Sequence, residues 1–232
     1  MEQFKRTIML LGKDKFEKLN KSHILVVGVG GVGGYVAEFL VRTGVGNITI
    51  VDQDVVDITN LNRQIIATNS TLNMPKVEAL KARLLDINKN LKINCIFERV
   101  SDENVQEILK LDHFDYVIDA IDSTKDKISL ICNSKRLNLP IISALGAGNR
   151  TGLPNYEVKD IYKTSDDGLA RVIRKALREN EIASLDVAIS TIKPVKPVQE
   201  NDSGQRNIGS LVYFPASCAA VISSYVVEKL TN

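Results

Sequence analysis

Ile24-Leu25-Val26-Val27-Gly28-Val29-Gly30-Gly31-Val32-Gly33-Gly34 is the stretch that decides the fold of this chain. Its first four residues form a continuous apolar run, which is typical of a strand buried on both faces. The glycine-rich turn leads into apolar residues at helical spacing over 35–43, and a second β-branched run over 47–51 ends on Asp52. Strand, glycine turn, helix, strand and acid in this order predict a nucleotide-binding unit.

The glycines and the acid suit the parts of a nucleotide. Gly28, Gly30, Gly31 and Gly33 let the backbone approach a phosphate closely, and the start of the next helix offers unpaired N–H groups. Asp52 is placed to accept hydrogen bonds from ribose hydroxyls. NAD and ATP fit this unit equally well, and a tight turn without a ligand would carry the same glycines. Residues beyond Asp52 must therefore decide between these readings.

Composition limits the class of protein. A chain of 232 residues with 44% hydrophobic composition can bury the core of one large α/β domain, and a net charge of +2 indicates no particular partner. Three scattered cysteines form no CxxC pair, so we expect neither structural zinc nor a disulfide framework. Since no apolar run reaches the roughly 18 residues of a membrane span, we expect a cytoplasmic protein without a membrane partner.

Strand-like and helix-like segments alternate as far as residue 150. Because successive parallel strands need right-handed crossovers, this order predicts an α/β, Rossmann-like fold with a mostly parallel sheet and helices on both faces. We divide the chain into an N-terminal helical lead-in at 1–22, a nucleotide-binding core at 23–150 and a C-terminal extension at 151–232. We expect the extension to pack on the same domain.

The extension is predicted to contain two strands, over 156–161 and 185–190, and a mobile loop at about 193–209. Between the strands, the sequence predicts a helix over 169–180 with one apolar face, formed by Leu169, Val172, Ile173, Ala176 and Leu177. A row of cations without an intervening acid can track a nucleic-acid backbone, although a solvated face would look the same. The row consists of Arg171, Arg174, Lys175 and Arg178.

Polar residues gather where the strands of the predicted sheet end. The loop after Asp52 contains Asp54, Asn60, Arg63 and Gln64, and it lies at the edge where open α/β sheets bind ligands.

Two more charged residues stand out beyond that loop. Lys76 falls in the first turn of a helix that Pro75 opens; because a lysine there opposes the helix dipole, we interpret it as a cation aimed at phosphate rather than an ordinary surface lysine. Asp122 follows the strand predicted over 115–120, where a carboxylate can hold Mg²⁺, whereas Asp119 is expected to be packed or to cap the strand end.

These residues together resemble the ThiF-type, ubiquitin-activating superfamily of adenylating enzymes over about residues 1–150. The pattern is the glycine turn, Asp52, N-x-x-R-Q at 60–64, P-K at 75–76 and D-x-x-D at 119–122. The resemblance implies that Asp52 holds the ribose of ATP and that Asn60, Arg63 and Lys76 contact its phosphates. It also implies that Asp122 binds Mg²⁺.

The same resemblance implies a homodimer. In the superfamily an arginine near the N-terminus reaches into the site of the partner subunit, and Arg6 is similar to it in position. Asp54 and Gln64 are included in the implied ATP site, and Arg63, Lys76 and Asp122 are with Arg6 the candidate catalytic residues.

Within the superfamily the chain most resembles the tRNA threonylcarbamoyladenosine dehydratases. The likeness includes GAGN at 146–149, VKDIYKTS at 158–165, LARVIRKALR at 169–178, STIKPVKP at 190–197 and GSLVYFPASCAAVISSYVVEKL at 209–230. It implies an enzyme that uses ATP and Mg²⁺ to cyclise threonylcarbamoyladenosine at position 37 of tRNA. Some members carry a cysteine within the segments that are here 164–167 or 187–190; this chain has none there, so no role of that thiol carries over.

Three other functions share part of this pattern. An activator of the C-terminal glycine of a ubiquitin-like sulfur carrier would need a reactive cysteine, and the C-terminal extension offers only Cys218, in an apolar helix where we expect it to be buried. An NAD-dependent dehydrogenase would need an acid or base, and His23 and His113 are expected at the surface, away from the site. A catalytically inactive binding module is disfavoured because every phosphate-contacting position is filled.

Overall fold

The computed structural model describes residues 2–165, 167–198 and 208–232. These residues form seven strands, β1 His23–Val27, β2 Asn47–Val51, β3 Lys92–Ile96, β4 Tyr116–Asp119, β5 Ile141–Ala144, β6 Tyr156–Asp160 and β7 Asp186–Ser190. They make one sheet in the order β3-β2-β1-β4-β5-β7-β6. Every neighbouring pair is parallel except β6 with β7. The mostly parallel sheet predicted from the sequence is confirmed.

Helices cover both faces of the sheet. They are α1 Lys5–Leu11, α2 Lys13–Lys21, α3 Gly33–Thr43, α4 Lys76–Ile87, α5 Val105–Leu109, α6 Thr124–Arg136, α7 Gly168–Glu179 and α8 Tyr213–Thr231. Short 3-10 turns lie at Glu2–Phe4, Ile58–Asn60 and Ile161–Lys163. Within the described residues, no helix combines the length and apolarity that a membrane crossing needs.

Strand β1 divides its side chains between two cores because successive residues of a strand point to opposite faces. Ile24 and Val26 join the core beneath α3, α4 and α8, whereas Leu25 and Val27 join the core beneath α5, α6 and α7. All four are essentially inaccessible to solvent. A strand buried on both faces explains the continuous apolar run with which the glycine turn begins.

The ends of the chain meet on one face. The N-terminal lead-in is two helices, separated at Gly12, whose φ of 82° ends α1. Phe4 and Phe16 stack with ring centroids 5.3 Å apart, and α8 packs against α2 and α3. The C-terminal helix therefore covers the helix that follows the glycine turn.

The turn before α5 is held by the side chain of Asn104. The Asn104 side chain donates to the carbonyl of Arg99 at 2.8 Å and accepts from the N–H of Ser101 at 2.9 Å. These bonds hold the preceding residues in a turn, because an asparagine side chain competes with helical backbone bonding. Helix α5 consequently begins only at Val105.

Candidate nucleotide-binding site

The glycine turn is shaped by two close approaches. Gly28 has a φ of 83°, and a Cβ atom there would lie 2.7 Å from the carbonyl oxygen of Ala120. A Cβ atom on Gly33 would lie 1.8 Å from the carbonyl oxygen of Gly28. Only glycine fits either position, and the turn keeps its N–H groups at the start of α3, where an anion is favoured.

A cleft of about 520 Å³ opens above this turn, at the carboxyl ends of β1, β2, β4 and β5. Nearly all the residues that the sequence assigned to nucleotide binding line it, namely Gly28, Gly30, Gly31, Asp52, Asp54, Asn60, Arg63, Gln64, Lys76 and Asp122. Gly33 lies beneath the turn at the first residue of α3. Arg6 is exposed on α1 and is not among the residues that line the cleft of its own chain.

Asp52 is held in a fixed orientation at the end of β2. One carboxylate oxygen accepts from the N–H of Val29 at 2.8 Å, and the other accepts from the N–H of Asp54 at 2.8 Å. Burial raises the pKa of Asp52 above its usual value, and the two backbone N–H groups offset this only in part. A carboxylate has four lone-pair sites, so Asp52 can still accept from a ligand.

Lys76 is the first residue of α4, as predicted, and its side chain is only 7% exposed. Its ammonium lies 2.7 Å from the carboxylate of Asp54, which is 55% exposed. The backbone N–H of Lys76 also donates to the carbonyl of Asp54 at 2.9 Å. The start of α4 is thereby fastened to the acidic loop, with a cation directed into the cleft.

The 3-10 turn Ile58–Asn60 positions the next group of side chains. Asn60 is buried, and its side-chain oxygen accepts from the N–H of Asp57 at 3.1 Å in a capping box. Arg63 donates to the carbonyl of Thr59 at 2.8 Å and to the side-chain oxygen of Asn62 at 3.0 Å. Both side chains are therefore held at the cleft by local hydrogen bonds.

Gln64 differs from these neighbours. It is buried beside the glycine turn, and its Oε1 atom has no hydrogen-bond partner among the residues that the structure describes. Buried polar side-chain atoms are nearly always hydrogen-bonded, so this oxygen is available to accept from a donor in the cleft.

Asp122 follows β4 and is exposed at the cleft. It forms no ion pair with any described side chain, whereas Asp54 is paired with Lys76 and Asp126 with Arg99. The described residues hold no cluster of three His, Cys, Asp or Glu side chains that could bind a metal by itself. A metal at Asp122 would need most of its ligands from a substrate and water.

Asp119 is packed beneath the cleft floor, as predicted. Its carboxylate lies 2.8 Å from the ammonium of Lys127 and accepts from Ser143 Oγ at 2.5 Å and from the N–H of Ile121 at 3.1 Å. The same ammonium donates to the carbonyl of Ala144 at 3.1 Å. The network joins the ends of β4 and β5, and Lys127 was not among the residues predicted from the sequence.

Other residues of the cleft were also not predicted from the sequence. Arg99 follows β3 and pairs with Asp126 at 2.8 Å, forming one wall. Residues of the C-terminal extension also line the cleft, namely Leu169, Ile208, Ser210 and Pro215. Arg99 could have been found from its place just past the carboxyl end of a strand; the second group had no such signal.

The basic helix α7 does not present all four predicted cations to solvent. Arg174 donates to the hydroxyl of Thr164, and to the carbonyl of Thr164 at 3.1 Å. The guanidinium of Arg178 lies 5.5 Å from the centre of the Tyr162 ring. Arg171, Lys175 and Arg178 are exposed. Arg174 is thus committed to the fold, and the cationic face is narrower than the sequence predicted.

The apolar side of α7 is also narrower than predicted. Ala170, Ile173 and Leu177 are buried, but Val172 is exposed. Asp167 is the N-cap of α7, and its carboxylate accepts from the N–H of Ala170 at 2.8 Å. Of the predicted mobile loop at 193–209, residues 199–207 lie outside the described part of the chain.

The histidines are remote from the cleft. His113 is exposed, as predicted. The prediction that His23 lies at the surface is wrong, because His23 is the first residue of β1 and its ring packs against Phe114 with centroids 4.8 Å apart. Its Nε2 atom is 2.9 Å from Thr49 Oγ1. It lies at the amino end of the sheet, where it cannot serve the cleft.

Cys218 is fully buried in α8, as predicted, and burial raises its pKa to about 12. A thiol must ionise to act as a nucleophile. Cys218 is therefore unsuited to the thioester or persulfide chemistry of a sulfur-carrier activator.

Known proteins match both the sequence and the fold. A profile of the ThiF family matches residues 4–231. The chain belongs to the ThiF family. This ThiF-family protein is 40% identical to a tRNA threonylcarbamoyladenosine dehydratase of Bacillus subtilis, over 99% of this chain and 95% of that relative.

Solved structures extend the likeness of this ThiF-family protein to three dimensions. It matches E. coli tRNA N6-threonylcarbamoyladenosine dehydratase, TcdA, in complex with ATP, with a TM-score of 0.90 and 32% identity over 99% of this chain and 93% of that one. The complex of TcdA with AMP matches with the same TM-score and identity, over 99% and 94%.

Proposed function

We propose that this protein is an ATP-dependent tRNA threonylcarbamoyladenosine dehydratase, which adenylates the carboxylate of threonylcarbamoyladenosine at tRNA position 37 and then cyclises it. One observation carries the proposal: the residues that the family pattern assigns to ATP converge on a single cleft in a chain that matches a relative of that name almost from end to end.

The cleft chemistry suits ATP better than NAD. A triphosphate brings several negative charges, and Arg63 and Lys76 reach the cleft beside the N–H groups of the glycine turn. Asp52 keeps lone pairs for the ribose hydroxyls, and the unpartnered amide of Gln64 would gain a partner from the nucleotide. Asp54 would hold Lys76 in place until the phosphates arrive.

The residues present also fit Mg²⁺ bound together with ATP. Magnesium in nucleotide sites commonly uses one or two carboxylates, completed by substrate phosphates and water. Asp122 is exposed at the cleft and is not engaged in an ion pair with a described residue, so it would hold the ion. Bound there, Mg²⁺ would neutralise charge that builds on the phosphate oxygens.

The proposed reaction has two steps. An oxygen of the threonylcarbamoyl carboxylate forms a bond to the α-phosphorus of ATP, and the bond to pyrophosphate breaks. A nitrogen of the same group then attacks the activated carbonyl carbon and loses its proton, and AMP leaves with the carboxylate oxygen. The modified nucleoside loses one water overall.

The protein contributes position and charge to this chemistry. Arg63, Lys76 and the turn N–H groups would stabilise the charge of the first transition state. The second step joins two parts of one substituent, so alignment supplies most of the acceleration. No catalytic cysteine is required, in accord with the burial of Cys218.

A direct assay tests the reaction. The protein is incubated with ATP, Mg²⁺ and tRNA that carries threonylcarbamoyladenosine, and the nucleosides are analysed by mass spectrometry under conditions that preserve the cyclic product. We expect a nucleoside lighter by one water, with equal amounts of AMP and pyrophosphate. Omission of ATP, or its replacement by an analogue with a methylene between the α- and β-phosphorus, is the control. AMP formation without the dehydrated nucleoside would contradict the proposal.

We propose that the exposed cations of α7 bind the tRNA backbone. Arg171→Glu with Lys175→Glu should weaken tRNA binding by at least about tenfold at moderate salt, because each phosphate contact adds to the electrostatic term. ATP affinity should stay unchanged. Lys89→Glu with Lys92→Glu is the matched control, since both lysines are exposed beside the edge strand β3 and the net charge changes equally. Equal loss in both variants would exclude α7 as a specific contact.

We also propose that the enzyme is a homodimer in which Arg6 acts in the cleft of the second copy. Arg6 lies on α1 beside Met9 and Leu10, whose side chains are 85% and 86% exposed, as expected of apolar residues that a partner covers. Sedimentation should show a dimer. Each of Arg6→Ala and Lys76→Met should be inactive alone, and their mixture should recover about a quarter of the wild-type rate after subunit exchange. A mixture that stays inactive would place Arg6 outside the partner's site.

A further inference from the structure

Arg150 is a buried cation between the cleft and the basic helix. Its side chain is only 3% exposed, and its Nε atom donates to the carbonyl oxygen of Gly146 at 3.1 Å. Its Nη2 atom lies 3.4 Å from the carboxylate of Asp167. Gly146 lines the cleft, whereas Asp167 caps α7. Arg150 therefore contacts both a residue that lines the cleft and the residue that caps α7, but it does not line the cleft itself.

Asp167 is itself held in place by the helix that it caps. Asp167 uses its other carboxylate oxygen to accept from the N–H of Ala170, which fixes the first turn of α7. That turn carries Leu169, which lines the cleft, and two residues further on the same helix exposes Arg171. A shift of α7 would move Leu169 and the Asp167–Arg150–Gly146 chain of contacts together.

Burying an arginine costs free energy unless its hydrogen-bonding and charged partners stay beside the guanidinium. Removing one partner of a buried pair leaves an uncompensated charge in a poorly hydrated site, so both partners are constrained to remain near the guanidinium. The segment that follows β5 and the start of α7 consequently behave as one unit, although they come from different parts of the chain.

We propose that Arg150 is a positioning residue that couples tRNA binding on α7 to nucleotide binding in the cleft. The inference rests on the proposed function, since it takes tRNA as the ligand of α7. tRNA bound at Arg171 and Lys175 would favour one position of α7. Through Asp167 and Arg150, that position of α7 would determine where Gly146 and Leu169 lie at the cleft. Coupling between two sites is reciprocal, so ATP must strengthen tRNA binding by the same factor as tRNA strengthens ATP binding.

Calorimetric titrations of the full-length protein measure this coupling. The probes are α,β-methylene ATP, which cannot be cleaved at the reacting bond, and unfractionated tRNA that carries threonylcarbamoyladenosine. For the wild-type protein we expect each ligand to increase the affinity of the other by about tenfold, within the usual range of allosteric coupling. In Arg150→Met the two separate affinities should change little, and the coupling factor should fall to about twofold or less.

A second variant keeps the test valid if Arg150→Met does not fold. Asp167→Asn retains a side chain that caps helices well but removes the charge that faces Arg150, so it should also lose the coupling while keeping α7 intact. Arg136→Met is the matched control. Arg136 donates to Asn180 at 2.7 Å at the opposite end of α7, and its loss should leave the coupling at the wild-type value.

Three results would overturn the inference. The first is a wild-type coupling factor near one while both ligands bind, and the second is wild-type coupling in Arg150→Met and Asp167→Asn. The third is an equal loss in Arg136→Met, which would mean that any loosening of α7 suffices. Failure of the wild-type protein to bind tRNA would instead contradict the proposed function, and the coupling with it.

Discussion

Two lysine–carboxylate pairs lie at the carboxyl edge of the sheet, one beyond β2 and one at the end of β4, with β1 between these strands, and the pairs differ in exposure. Lys76 pairs with Asp54 at 2.7 Å, and the Asp54 side chain is 55% exposed. Lys127 pairs with Asp119 at 2.8 Å, and these side chains are 1% and 0% exposed. Both lysines belong to the first turns of helices that follow parallel strands.

The difference indicates what each pair can do. Because Asp54 is half exposed, water can hydrate its carboxylate when Lys76 turns to a ligand, so this pair opens at lower cost than a pair buried on both sides. A pair without access to water cannot be opened without leaving a charge uncompensated. The Lys76 pair is therefore suited to exchange a carboxylate for a phosphate, and the Lys127 pair to fix the loops on which the cleft depends.

Breaking the buried pair should have the largest effect. Lys127→Met leaves the carboxylate of Asp119 buried without its cation, so we expect the free energy of unfolding to fall by about 3–5 kcal/mol, as in other broken buried pairs. Chemical denaturation monitored by circular dichroism measures this loss. The double variant Lys127→Met with Asp119→Asn should recover much of it, because no charge remains buried. Wild-type stability of the single variant would refute the assigned difference.

Breaking the pair of Lys76 with the half-exposed Asp54 should affect catalysis instead. Lys76→Met removes a cation from the proposed transition state, and loss of one such electrostatic contact costs about 10²–10³-fold in turnover. The free energy of unfolding should change by less than about 1 kcal/mol, because Asp54 stays hydrated. Pyrophosphate release gives the rate, and the same denaturation curve gives the stability. Unchanged turnover, or destabilisation as large as in Lys127→Met, would remove the contrast between the pairs.

The smallest effect concerns Asp52, a carboxylate of intermediate exposure whose pKa burial raises. Its contribution to stability is present below the unfolded pKa and is lost as the pH rises through the folded pKa. Ligand binding has the opposite sign, because the ionised carboxylate accepts the ribose hydroxyls. Adenosine, which has no phosphate to titrate, should bind about three- to tenfold more weakly as the pH falls through that folded pKa.

A matched variant checks the origin of this pH dependence. In Asp52→Asn the affinity for adenosine should be lower throughout and nearly independent of pH over the same interval. Adenosine binding that loses affinity on acidification equally in both proteins would assign the effect to another group.

The sequence was sufficient to predict those cleft residues whose positions follow from the order of strands and helices along the chain. Gly28, Asp52 and Lys76 each follow or precede a regular element, so the place of a side chain along the chain also determines its place at the sheet edge. Asp119 was predicted to be packed for the same reason. The strand alternation across two cores likewise follows from a period of two.

Contacts between one element and the next could not be predicted in this way. Lys127 and Arg150 stand among polar residues and look like surface charges, although packing of the helices buries them against Asp119 and Asp167. The exposure of Val172 and the hydrogen bond from Arg174 to Thr164 also depend on which segments pack against α7. Helical periodicity shows which residues share a face but not how much of that face a neighbouring segment covers.

The spacing inside the glycine turn has a practical use for redesign. A side chain at Gly33 would collide with the turn itself, whereas a Cβ atom at Gly30 would meet nothing closer than the Gln64 amide nitrogen, at an ordinary 3.6 Å. An alanine at position 30 is thus compatible with the empty protein, and any harm it does must come from what occupies the cleft. The Gly30→Ala substitution therefore tests how closely a bound ligand approaches the backbone of the turn.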